Sequence, residues 1–158
     1  MDKKLSYFFR ESVKTEEIVN IEGPATIKDE KGNPVVFQIK KLNMERINEI
    51  YGYYRKKEVY MDKKKKQPYV VNGNVVTIET SDTSKAFRHV MVEAIVYPDM
   101  KDSELMEFFD CLDVTDMPVK MFTSEEYGEV ARMVNKVLGL TDDIEDEDDK
   151  EDIEIAKN

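Results

Sequence analysis

Tryptophan is absent, and the chain of 158 residues has one cysteine, Cys111, and one histidine, His89. A lone cysteine excludes an intrachain disulfide framework and gives no thiolate cluster for a metal. A lone histidine inside a helical pattern, with no serine or cysteine motif beside it, leaves a nucleophilic triad without support. Cys111 is therefore read as a small buried hydrophobe and His89 as a surface or half-buried structural side chain. Six glycines, at 23, 32, 52, 73, 128 and 139, form neither a Gly-x-Gly-x-x-Gly pattern nor a phosphate loop. The acidic run after Asp142 lacks the turning glycine and alternating ligands of a calcium loop. The chain is expected to need no cofactor and no metal, and to have no catalytic residue.

Long apolar runs are missing too. No stretch approaches the ~20 residues of a membrane span. Met1-Asp2-Lys3-Lys4 leads into only five residues, Leu5 to Phe9, before Arg10 interrupts, which is short for a secretory leader. A soluble, unprocessed, cytoplasmic protein is expected, with no membrane contact.

Charge is present in quantity and unevenly placed. The chain has 24 Lys and Arg against 34 Asp and Glu, a net of -10. Residues 142–158 hold ten carboxylates against Lys150 and Lys157, a net of -8, so residues 1–141 are nearly neutral at -2. Like charges repel, and only Ile144, Ile153 and Ile155 remain in that segment to offset ordering entropy. One domain over 1–141 followed by an acidic, disordered tail over 142–158 is the expected organisation. The basic counterpart is 55–66, with seven Lys and Arg against Glu58 and Asp62, a net of +5. It reads as a mobile loop leading into a hairpin turned at Asn72-Gly73. It is also the one feature that suits a nucleic-acid-binding regulator, although overall acidity and the competing tail make nucleic acid an unfavoured partner.

The remaining pattern predicts an α+β fold, with N-terminal antiparallel strands or hairpins packed on a predominantly helical C-terminal region. Ile18 to Ile21, Ala25 to Ile27 and Val35 to Ile39 are rich in β-branched residues and separated by turn formers, as in a meander. Met44, Ile47, Ile50, Tyr51 and Tyr54 step by three and four behind a capping Asn43. A second helix is expected from Asp82 or Thr83 to Tyr97, ended by Pro98, and a shorter one from Asp102 or Ser103. Thr123 and Glu126 fit a capping box for a last helix that Gly139 closes. Leu5, Phe8 and Phe9 would share one side of a terminal helical turn, needing either the chain's own core or another subunit to cover them.

Together these segments resemble the XkdN-like phage tail-assembly chaperones of contractile-tailed phages and defective prophages. The resemblance rests on Tyr7-Phe8-Phe9, the turn from Asp29 to Pro34, Ala94-Ile95-Val96-Tyr97-Pro98-Asp99 before Ser103-Glu104-Leu105, Val119-Lys120-Met121-Phe122, and Glu125-Glu126-Tyr127. It continues through Val130, Val134, Gly139 and the acidic end, covering nearly the whole chain. Members commonly have a Pro-Gly-Glu-Tyr-like turn before the last helix, where this chain has Thr123-Ser124-Glu125-Glu126-Tyr127. The resemblance implies a non-enzymatic protein of the bacterial host cytoplasm that binds the phage tape-measure protein, helps recruit tail-tube protein, and is absent from the mature virion. A body of this kind, which self-association would extend into a homo-oligomer, can shield a client with Phe8, Phe9, Phe108, Phe109, Met121, Phe122 and Tyr127. A nucleic-acid-binding regulator and a small enzyme without a recognisable motif are the other readings.

Overall fold

A computed structural model describes residues 3–140. The acidic segment 142–158, with the disorder expected of it, lies outside the described residues. Strand β1 (Ile18–Glu22) pairs antiparallel with β2 (Val36–Lys40), in a register that sets Val19 against Ile39 and Ile21 against Phe37. Cross-strand partners share a face, so these four side chains form one apolar side of the sheet. Phe37 and Ile39 on it are fully buried. Ala25 to Ile27 is not a strand: it forms part of the turn between β1 and β2, followed only by an isolated bridge from Lys28 to Pro34. Gly23-Pro24 and Asp29, whose carboxylate accepts from the N–H groups of Lys31 and Asn33, bend this stretch out of the ladder.

Helix α1 (Met44–Gly52) starts where Asn43 accepts from the N–H of Arg46. Its spacing delivers Ile47 and Ile50 to the core, each worth roughly 1.5–3 kcal/mol. An antiparallel arm then leaves the body. Its stem pairs β3 (Arg55–Val59) with β8 (Thr77–Ser81). Beyond the stem the arm splits into two short hairpins, β4 (Met61–Asp62) with β5 (Gln67–Pro68), and β6 (Val70–Val71) with β7 (Asn74–Val75). The junction is closed by backbone bonds among Tyr60, Tyr69 and Val76. Thus 55–66 is not a loop; most of it is strand, and only Lys63 to Lys66 turn between strands. The expected turn at Asn72-Gly73 is present, with both residues at positive φ.

Helix α2 (Thr83–Ala94), capped by Asp82, buries Ala86, Val90, Met91, Val92 and Ala94 and lies at the centre of the core. It stops three residues before the expected end, because Ile95–Tyr97 becomes β9 and joins the other edge of β2. Three β-branched or aromatic residues ahead of a proline favour that switch. Helix α3 (Ser103–Phe108), α4 (Met117–Met121) and α5 (Ser124–Leu138) follow among the described residues.

At the start of α5, the Thr123 hydroxyl accepts from Glu126 N–H while the Glu126 carboxylate accepts from Thr123 N–H. The same carboxylate accepts from the Thr26 hydroxyl at 2.8 Å, tying the β1–β2 turn to the helix. These bonds hold the Glu126 carboxyl below the usual range. Thr123→Ala should lower the unfolding free energy by about 1 kcal/mol, measured as a reduced urea midpoint with unchanged slope.

Candidate protein-interaction surface

The N-terminal segment forms two 3₁₀ turns, Leu5–Phe8 and Glu11–Val13, neither of which contains a buried residue. Leu5 is 77%, Phe8 74% and Phe9 80% exposed, with Tyr7 also outside. Among the described residues, no core side chain covers this group. A patch of large apolar side chains beside a terminus is the kind of surface that marks a protein contact.

Phe108 and Leu112 form a second outward group, 81% and 97% exposed. Their position follows from how the intervening loop is pinned. Asp110 takes a positive φ, its carbonyl accepts from Lys120 Nζ, and Cys111 N–H returns to the Met106 carbonyl. The Cys111 side chain is buried and its Sγ–H donates to the Asp113 carbonyl at 2.9 Å. The Asp113 carboxylate accepts from both the N–H and the hydroxyl of Thr115, which pushes its pKa down. With Cys111 turned inward and the next turn fixed, Leu112 points to solvent. Phe108 stands edge-on to Phe109, ring centroids 4.9 Å apart, and Phe109 is half-buried against the core.

Of the other residues named from the sequence, Met121 and Tyr127 are half-buried on the core, and burial raises the Tyr127 pKa. Phe122 lies inside the core, with its ring 6.2 Å from that of Phe37. The seven residues therefore occupy different depths: Phe8, Phe9 and Phe108 outside, Phe109, Met121 and Tyr127 beneath, and Phe122 within.

Polar structure behind these surfaces went unread in the sequence. Arg46 on α1 donates to both oxygens of Glu93 on α2, at 2.7 and 2.6 Å, and also to Glu49 and the Tyr53 hydroxyl. This fork raises the Arg46 pKa and lowers that of Glu93. His89 lies between Tyr53 and Tyr54, with Nδ1 2.7 Å from the Tyr54 hydroxyl. Burial lowers its pKa from 6.5. A depressed pKa means that the unfolded chain takes up the proton first, so both groups stabilise the fold above their unfolded pKa values. Stability should fall as pH drops below about 6.5 through His89, then again through the carboxylate range as Glu93 protonates. His89→Gln should flatten the first fall and leave the second, as read from thermal melts across pH.

Among the described residues no group of three or more His, Cys, Asp or Glu is placed to hold a metal ion. None of the described helices is long and apolar enough to cross a membrane. The outer face of the β1–β2–β9 sheet carries an open groove of about 360 Å³ lined by Asn20, Val36, Gln38 and Tyr97. Its described lining is two amides, one aliphatic side chain and one phenol.

Similarity to known proteins fits this picture. The family described as phage XkdN-like tail assembly chaperone protein matches residues 5–154. The phage-like element PBSX protein XkdN of Bacillus subtilis strain 168 is 26% identical over 145 residues, spanning 90% of this chain and 88% of its own length. The uncharacterized protein YqbN of the same organism is 28% identical over 157 residues, spanning 98% and 93%. The crystal structure of YqbN shares the fold, with a TM-score of 0.59 at 20% identity over 88% of this chain and 98% of that one. With an α+β architecture and a family match across almost all its length, this chain belongs to the XkdN-like phage tail assembly chaperones.

Proposed function

We propose that the chain works by binding without catalysis: it covers apolar segments of the phage tape-measure protein in the bacterial cytoplasm and brings tail-tube protein to them. The observation that carries this reading is the uncovered group of Leu5, Tyr7, Phe8 and Phe9. Aromatic side chains of this kind supply most of the energy in protein contacts when a partner buries them. Phe108 and Leu112 offer a second contact, held in place by the loop around Cys111. Phe109, Met121 and Tyr127 support those contacts from the body side, and Phe122 supports them through the core. The domain spanning 1–141 supplies this binding body in the proposal, with the acidic segment 142–158 outside it. Self-association through the same N-terminal group would repeat the surface along an elongated client, as a homo-oligomer does.

Coexpression with the tape-measure protein tests the reading. The client should move into the soluble fraction and copurify when this chain is present, and remain insoluble without it. A client equally insoluble in both cases, with no copurification, overturns the proposal.

The arm favours a second reading, a nucleic-acid-binding regulator, because it presents Lys63 to Lys66 at a turn. That reading requires binding that weakens steeply with salt and is lost on Lys63→Gln through Lys66→Gln. In the chaperone reading, nucleic acid shows no such binding.

A further inference from the structure

The arm over 55–81 is a large surface that packing of the body does not account for. None of its residues is buried, and among the described residues its strands pair only with one another. A two-stranded ribbon in water is marginal unless something lies against it. Its cations are also in excess: Arg55, Lys56, Lys57 and Lys63 to Lys66 outnumber Glu58, Asp62 and Glu79 on the arm and form no ion pair among the described residues. Between the two short hairpins is a notch of about 420 Å³, lined by Pro68, Tyr69, Val70 and Val75 on its apolar side and by Asp62, Lys65 and Gln67 on its polar side. The Asp62 carboxylate is taken up by the N–H groups of Lys64 and Lys65, so the apolar wall and the Lys65 ammonium group suit a peptide that offers a branched aliphatic side chain near a carboxylate.

We infer that the acidic segment 142–158 of the same chain docks on this arm, its carboxylates against Lys63 to Lys66 and its isoleucines in the notch. Charge complementarity is the first support, a net of -8 in that segment against +5 over 55–66. The order Asp152-Ile153-Glu154-Ile155 is the second. In an extended peptide, side chains two apart share a side, so Ile153 and Ile155 can enter the notch together, while the eight carboxylates from Asp142 to Glu151 supply the charge that meets the lysines. Reach is the third. The end of α5 shares a groove with Lys41 to Asn43, immediately before α1. From there, nine residues of α1 cover ~14 Å and residues 55–62 cover ~26 Å of arm. The 13 steps from Leu140 to Ile153 can span up to ~45 Å, just longer than that path of ~40 Å.

Docking would cover the arm until a partner displaces the acidic segment, making contacts through the arm subject to competition and to salt. Amide hydrogen exchange on the full chain tests this. Its comparison is a full-length variant in which the ten carboxylates of 142–158 become Asn or Gln. Arm amides in the unaltered chain should exchange roughly tenfold more slowly than in the variant. About 1 M salt should erase the difference, because it shortens electrostatic range to ~3 Å. Lys63→Gln through Lys66→Gln should erase it as well, while amides of α2 and α5 exchange alike in every form and report intact folding. Equal exchange in the arm with and without the carboxylates overturns the inference. So does protection that grows with protein concentration, which would assign the acidic segment to the arm of a second copy.

Discussion

Phe37→Ala is expected to lower the unfolding free energy by about 3–5 kcal/mol, the largest stability effect of any substitution considered for this chain. Phe37 is fully buried in the middle strand of the sheet, opposite Ile21 and against Phe122. Strand β2 is hydrogen-bonded on both sides, to β1 and β9, so it cannot move inward to fill the space left by the ring. The cost therefore combines lost apolar burial with an open cavity. Gly23 shows how tight the site is: a Cβ there would lie 2.7 Å from Phe37 Cε1 and 2.8 Å from the Val35 carbonyl oxygen. Gly23→Ala should cost about 1–3 kcal/mol. Combining it with Phe37→Ala relieves the ring clash and leaves the backbone clash, so the two costs should add to less than their sum. Urea titration measures all three. Phe108→Ala is the control, because a ring 81% exposed should change stability by no more than about 0.5 kcal/mol. A Phe37→Ala loss as small as that of Phe108→Ala would show that the core is not built around this ring.

Helices were legible where local signals agreed. Asn43, Asp82, Asp102 and Thr123 each accept a backbone N–H at a helix start, and Gly139 takes the left-handed conformation at the end of α5. The arm was obscured because strand signals assume one dry face. Both faces of β3 meet water, so Arg55, Lys56 and Lys57 carry no apolar alternation, and its partner begins 18 residues after it ends. Ile95 to Tyr97 extended the helical stripe of α2 in apolar character, and only pairing with β2 decided for strand. The Arg46–Glu93 fork joins residues 47 apart on two helices, a distance that no local pattern spans. Burial of Phe122 did have a signal. It stands just before the Thr123 cap, with Tyr127 at the fourth helical position, the two places that a hydrophobic staple uses. The exposed N-terminal group had none, since spacing alone does not say whether Leu5, Phe8 and Phe9 face a core or a partner.

Leu5→Ser, Phe8→Ser and Phe9→Ser together should weaken association with the client by roughly 100-fold, about 2.7 kcal/mol. The same triple substitution should leave the unfolding free energy within about 0.5 kcal/mol of the starting protein, because none of the three contributes to the buried core. This separation of binding from stability is what distinguishes a contact surface from a core displaced to the terminus. The short turn that carries these residues is held by backbone bonds such as Tyr7 N–H to the Lys4 carbonyl, which the substitutions preserve. Side-chain chemistry changes while the local backbone bonds remain available. Copurification with the tape-measure protein reads the first quantity and urea titration the second. If the client stays bound at unchanged strength, the contact lies elsewhere, and Phe108→Ser with Leu112→Ser becomes the decisive pair. If stability falls by several kcal/mol instead, these side chains hold the fold together and the reading of this terminus as a binding surface fails.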